Sequence, residues 1–248
     1  MFDFSLICTD SNPNLLGIFD TTIAPALLFY AYIPIALLSL VAGLIFFFNS
    51  QNKPLKNSFL GISFFFSLFI FNETLQWVLV PVSLMYFTWS LSLVLQAFIG
   101  YFSFKFVWLS IYNNSKIPDL LGLALIFPIL LFLPTTLNLV SFDATLCEAE
   151  IGILWDYLHL FTILYLLFLT IWLVKICFTK RTRNVLHIYL IATTLIFSAI
   201  FYVANIFGDV TNVHEVNLIG PIGMLLFIVS CEYMNVRFRI FKFKTVQA

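Results

Sequence analysis

Charged residues are scarce in this chain. Only 12 Lys and Arg and 12 Asp and Glu occur among 248 residues, 10% of the total, against a hydrophobic share of 62% and a mean hydropathy of +1.03. A soluble domain carries about 25% charged residues, so the composition excludes that class and marks an integral membrane protein. No basic segment stands apart from the hydrophobic runs, which argues against nucleic acid as a partner. Residues 1–21 contain Asp3, Asp10 and Asp20 but no Lys or Arg. The charged start of a cleavable signal peptide is therefore missing, and these residues are expected to form a retained extracytoplasmic arm.

Other absences remove whole chemistries. The last hydrophobic run, Asn217 to Asn235, has no Lys, so a retinal Schiff base has no anchor there. Bound b-type haem needs histidines facing one another at similar depth, whereas His159 is outer, His187 inner and His214 in a loop. A zinc site built from His159, His214, Asp209 and Glu215 has only spacing in its favour. There is no nucleophile elbow, phosphate loop or metalloprotease motif. The expectation is a protein without enzymatic activity, metal or cofactor.

What the chain does have is a series of hydrophobic runs long enough to cross a hydrocarbon core of about 30 Å. They lie at Thr22 to Phe48, Asn57 to Val80, Ser83 to Tyr112, Leu120 to Val140, Ile151 to Phe178, Val185 to Phe207 and Val216 to Val236. Basic residues mark alternate connections: Lys53 and Lys56, Lys116 (offset by Asp119), then Lys180, Arg181 and Arg183. The last run leads directly into Arg237, Arg239, Lys242 and Lys244. The arm, the Val80-Pro81-Val82 turn and the loops holding Asp143, Glu148, Glu150, Asp209 and Glu215 have no Lys or Arg. Because Lys and Arg stay on the cytoplasmic side, the expected fold is an all-α bundle of seven transmembrane helices, N-terminus outside and C-terminus cytoplasmic. Residues 1–21 form the arm, 22–236 the seven-helix domain and 237–248 a basic juxtamembrane tail.

Cys8 and Cys147 both fall on the extracytoplasmic side, where a disulfide between them is permitted but not required. Cys177 and Cys231 lie towards the other face as free thiols. The 31 Phe residues supply lipid-facing and packing bulk. Polar side chains at membrane depth are costly and usually face the bundle interior, so their convergence is informative. Asn72, Glu73, Gln76 and Trp77 share one face of helix 2 by their spacing. Thr88, Ser92 and Gln96 follow i, i+4 steps in helix 3, Asp156 and His159 an i, i+3 step in helix 5. Thr194, Ser198, Tyr202, Asn205 and Asp209 make a stripe along helix 6. All are richest in their outer halves. They define an outward-facing candidate ligand pocket lined by Glu73, Gln76, Gln96, Asp156, His159, Asn205 and Asp209; the alternative is that they are interhelical hydrogen-bonding glue. Lys105 and Lys175 are expected to snorkel to the cytoplasmic interface.

The carboxyl-terminal third, Lys180 to Lys244, resembles the seven-transmembrane sensor region at the amino terminus of many bacterial membrane histidine kinases. The matching residues are Arg183-Asn184-Val185-Leu186-His187-Ile188-Tyr189-Leu190 opening helix 6, Ala204-Asn205-Ile206-Phe207 near its end, and Leu218-Ile219-Gly220-Pro221-Ile222-Gly223 opening helix 7. Tyr233-Met234-Asn235-Val236-Arg237-Phe238-Arg239-Ile240-Phe241 follows at its exit. The resemblance implies a sensor in the bacterial cytoplasmic membrane that detects an extracytoplasmic or membrane-borne small ligand. It would signal through a cytoplasmic domain or partner protein and dimerise with its own kind. Gly220, Pro221 and Gly223 would permit close packing of helix 7 and a change in its tilt, delivered at Arg237 and Arg239. Equally, Gly-Pro is a good helix start and the basic cluster a plain anchor. Nothing before Ala248 resembles a kinase domain, so the expectation is the sensor portion of a longer protein or a free-standing relative. Two other functions remain open: a small proton-coupled carrier using Glu73, although no internal repeat supports it, and a structural subunit of a membrane complex.

Overall fold

The computed structural model describes residues 28–78, 81–112, 116–143, 148–178, 185–211 and 214–238. Cys8, Cys147 and Arg239 lie outside these, as do the arm and almost all of the tail. Seven α-helices occur among the described residues: α1 (Ile33–Asn49), α2 (Lys53–Val78), α3 (Val82–Tyr112), α4 (Lys116–Phe132), α5 (Ile153–Phe178), α6 (Val185–Thr211) and α7 (Gly220–Phe238). A π-helical turn, Leu28–Tyr32, precedes α1, and a 3-10 turn, His214–Ile219, precedes α7. Prolines sit where they cost little, in first turns: Pro34, Pro54, Pro118 and Pro221.

Six of these segments are long and apolar enough to span a bilayer, and the chain is an integral membrane protein. The fourth expected run, Leu120 to Val140, divides instead. Its helix stops at Phe132 after 17 residues. Pro134 cannot continue a helix, and the Asn138 amide donates to the Leu133 carbonyl at 3.1 Å across the turn. Leu139–Asp143 then forms strand β1, paired antiparallel with β2 (Glu148–Ile151). Only Val140 to Asp143 alternates apolar and polar; the pairing shifts register between Leu139 and Ser141, and the apolar average of the run conceals the short strand. This hairpin folds onto the start of α3, where Phe142 packs with Val82, Met85 and Trp89.

Pro128 lies inside α4 and cannot donate to the Ala124 carbonyl four residues back. Tyr157 of α5 takes that acceptor, its hydroxyl donating at 2.8 Å. Lys105 reaches towards the Lys116 end of α4, where its ammonium pairs with Asp119 of the first turn at 2.6 Å and donates to the Tyr101 hydroxyl at 2.9 Å. Lys175 lies over the Trp172 ring, 5.1 Å from its centroid.

The helices close into a ring in which α1 packs on α2, α2 on α3, α3 on α5, α5 on α6, α6 on α7 and α7 back on α1, with α4 outside against α3. The centre is aromatic. Phe46 and Phe59 stack at 4.1 Å, Phe59 and Phe106 meet at a tilt with their centroids 5.3 Å apart, and Phe66 and Phe69 meet Phe201 edge to face. Such rings gain from offset and edge contacts beyond bulk packing, which specifies a seam that lipid tails cannot imitate. Phe46→Ala is expected to cost about 3 kcal/mol by cavity formation, while Phe48→Ala, at a 78% exposed position, changes stability by less than about 0.5 kcal/mol. Reversible unfolding in mixed micelles measures both.

Candidate functional site

The hairpin end of the bundle gathers the polar side chains. Glu73 lies five residues before the end of α2, Ser92 ten residues into α3, His159 six residues into α5, Asp209 two residues before the end of α6 and Tyr32 just ahead of α1. Antiparallel neighbours make these positions one layer.

Ser92 is its hub. The Asn72 amide donates to Ser92 Oγ at 2.7 Å and to the Thr88 carbonyl at 2.8 Å. Gln76 donates to the same Oγ at 3.0 Å, and Ser92 donates in turn to Glu73 Oε1 at 3.4 Å. Asn72, Thr88 and Ser92 are buried, Glu73 and Gln76 half-buried. A second contact lies across the ring, where His159 Nε2 of α5 meets Asp209 Oδ2 of α6 at 3.1 Å, both residues 9% exposed. The Glu73 carboxylate is within electrostatic range of Asp209 and of the Tyr32 hydroxyl, which ties the two contacts into one acidic cluster.

Of the residues the sequence nominates, Glu73, Gln76, His159 and Asp209 belong to this layer, and Gln96 is buried one turn deeper on α3. Asp156 is exposed on α5. The i, i+3 step from Asp156 to His159 turns the chain by about 60° on the helix wheel, enough to carry one outward and the other inward. Asn205 has a different role: its amide bonds its own helix at the Phe201 carbonyl, 2.7 Å away. Thr194 and Ser198 likewise bond the carbonyls of Leu190 and Thr194. Most of the α6 stripe is thus satisfied within its own helix. Ser92 stands on the α3 stripe that spacing identifies but not among the expected pocket residues, and Tyr32 has no polar neighbour at helical spacing to point to it.

α6 connects this layer to α7. A Cβ on Gly223 would lie 2.7 Å from the Phe197 carbonyl oxygen and 2.8 Å from Ile200 Cβ, and one on Gly220 would lie 3.1 Å from the Phe201 carbonyl oxygen and 3.3 Å from Asn205 Nδ2. Gly223 is therefore required by backbone approach, a side chain at Gly220 would be tight, and Pro221 completes the first turn. Arg237 is in the last turn of α7.

Among the described residues, no three or more His, Cys, Asp or Glu side chains form a group that could hold a metal ion. Ser92→Ala removes the acceptor shared by Asn72 and Gln76 and leaves a buried and a half-buried donor short of a partner, at an expected cost of about 1–3 kcal/mol; thermal unfolding of the purified protein measures it. Comparison of the sequence with family models, with curated proteins and with solved structures gave no match.

Proposed function

We propose that the chain is a membrane receptor or sensor module in which seven helices cross the bilayer, the hairpin end faces outward and α7 passes a signal to a cytoplasmic effector. The observation that carries this proposal is the placement of α6. One end supplies Asp209 to the acidic cluster, and the turns just before it, at Phe197, Ile200 and Phe201, seat Gly220 and Gly223 of α7. A shift of charge or occupancy in the cluster therefore acts on a helix pair too close to slide independently, and α7 leads into the basic tail.

The orientation rests on charge. Lys53, Lys56, Lys116 and Lys175 sit at the end opposite the hairpin, while Asp143, Glu148, Glu150 and Asp156 sit at the hairpin end, the asymmetry expected of a cytoplasmic and an external face. α4 has a length of about 26 Å at 1.5 Å per residue, within the mismatch a bilayer absorbs by local thinning. The resemblance of Lys180 to Lys244 to histidine-kinase sensor regions favours a kinase as the effector and the bacterial cytoplasmic membrane as the location. A second function, proton-coupled transport, is favoured by Glu73, a carboxyl at membrane depth whose one described hydrogen bond is a long one.

The test joins the full chain to a histidine kinase core and measures autophosphorylation in membrane vesicles. Glu73→Gln is expected to shift basal output by about fivefold or more, within the usual range of allosteric coupling. Gly223→Leu, which wedges α6 from α7, is expected to abolish that shift. Output unchanged by Glu73→Gln, Asn205→Ala and Gly223→Leu alike would remove the sensor proposal. Concentrative, Glu73-dependent uptake into proteoliposomes would install the carrier in its place.

A further inference from the structure

α1 and α7 are neighbours in the ring, yet they do not close on each other along their whole length. Between them runs a groove of about 350 Å³, walled by Leu38, Ala42 and Ile45 of α1 and by Val229, Glu232 and Val236 of α7. Leu38 to Ile45 and Val229 to Val236 are each seven steps along a helix, about 10 Å at 1.5 Å per residue. Both helices run away from the hairpin end. The groove thus follows the helices, as a lipid chain would, and ends beside Ile45 and Val236 at the end opposite the hairpin.

The wall is apolar throughout. Glu232 Oε1 is buried and Oε2 accepts from the Asn235 amide at 3.5 Å, which leaves the methylene stem of Glu232 to face the groove. Leu38, Ile45, Val229 and Val236 are exposed, so the groove opens to the bilayer. Charge enters only at its mouth. Residues 21–72 and 233–248 contain no Asp or Glu, whereas Lys53, Lys56, Arg237, Arg239, Lys242 and Lys244 follow where the two helices end. Lys56 is engaged over the Phe47 ring, 4.4 Å from its centroid, and Lys53 is exposed. An apolar slot with a basic mouth and no acid to offset it complements an alkyl chain joined to an anion. A second copy of this chain lying parallel would bring an equally basic end to the same place, and like charges oppose that contact.

We propose that the α1–α7 groove binds one acyl chain of an anionic phospholipid, with the phosphate at the basic mouth formed by Lys53 and Arg237. A bilayer supplies the chain and the phosphate already aligned with such a groove. Lys and Arg next to a membrane span attract anionic headgroups, and the fork of an Arg side chain matches a phosphate. The apolar wall fixes where the chain lies, and the mouth selects the headgroup. The site is at the far end of α7 from the polar layer and its occupancy is read without any effector, so this binding test and the signalling test fail separately.

The experiment uses the full chain in phosphatidylcholine nanodiscs that contain a small fraction of phosphatidylglycerol carrying a diazirine on one acyl chain. After illumination, the cross-linked peptides are mapped by mass spectrometry. Saturable labelling of residues 38–45 and 229–236 is expected, competed by unlabelled phosphatidylglycerol. Lys53→Gln combined with Arg237→Gln is expected to weaken that competition about fivefold or more. Ala42→Phe fills the groove and is expected to reduce the labelling severalfold, while Ile171→Phe, at an exposed position on α5, leaves it unchanged. Should Ala42→Phe fail to fold, Val229→Trp at a 48% exposed position obstructs the groove from its rim with the same expected loss. Equal labelling by a diazirine-bearing phosphatidylcholine would overturn the proposal, as would labelling spread evenly over the exposed faces of α4 and α5. So would labelling unchanged in the double charge variant, or labelling that rises as the protein is diluted into more lipid, which means a second copy had occupied the groove.

Discussion

A bilayer has no water to offer a polar side chain, and that single constraint organises this bundle. An amide, hydroxyl or carboxyl inside the span gains most from a partner on another helix or on its own backbone. At the α2–α3 seam, Asn72, Glu73 and Gln76 all turn to one hydroxyl, Ser92. Once that face of α2 is committed, its remaining inward positions fall to Phe59, Ile62, Phe66 and Phe69, which build the aromatic centre with Phe46, Phe106 and Phe201. The polar layer and the phenylalanine core are consequences of one rotational setting.

Elsewhere the same constraint is met by local repair. Pro128 leaves an acceptor on α4, and Tyr157 reaches across to take it. Lys105 and Asp119 neutralise one another and fasten α4 to the outside of α3. α6 shows the opposite solution: Thr193, Thr194, Ser198 and Asn205 return their protons to carbonyls of their own helix. That leaves its surface free for close approach, and Gly220 and Gly223 exploit the space. Among the described residues no hydrogen bond joins those side chains to α7, and the one that α6 makes at its end, between Asp209 and His159 of α5, joins it to the acidic layer.

Legibility followed the range of the interaction. The α2 face of Asn72, Glu73 and Gln76 and the α3 face of Thr88, Ser92 and Gln96 were readable because helical spacing alone places each set on one side. The α6 stripe was equally readable but misleading, since spacing reports which side a residue occupies and not whether its proton goes outward or back to the i−4 carbonyl. Asp156 misled for a related reason, being one step beyond the edge of the buried face. The hairpin was missed because Leu139 and Val140 were absorbed into a hydrophobic run that Pro134 had already ended.

By itself the sequence determined that the chain lives in a membrane, roughly where its helices begin and end, and which faces of α2 and α3 carry polar groups. These are properties of composition and of neighbours within a few residues, and they need no knowledge of the rest of the chain. Only the tertiary structure decided that Ser92 is the hub, that His159 chooses Asp209 rather than Asp156, that Tyr32 joins Glu73 and that Gly223 lies against Phe197. Those outcomes depend on helix rotation and depth to within about one side chain. In a bundle whose outer surfaces are uniformly apolar, rotation is set by partners distant in sequence and by nothing local.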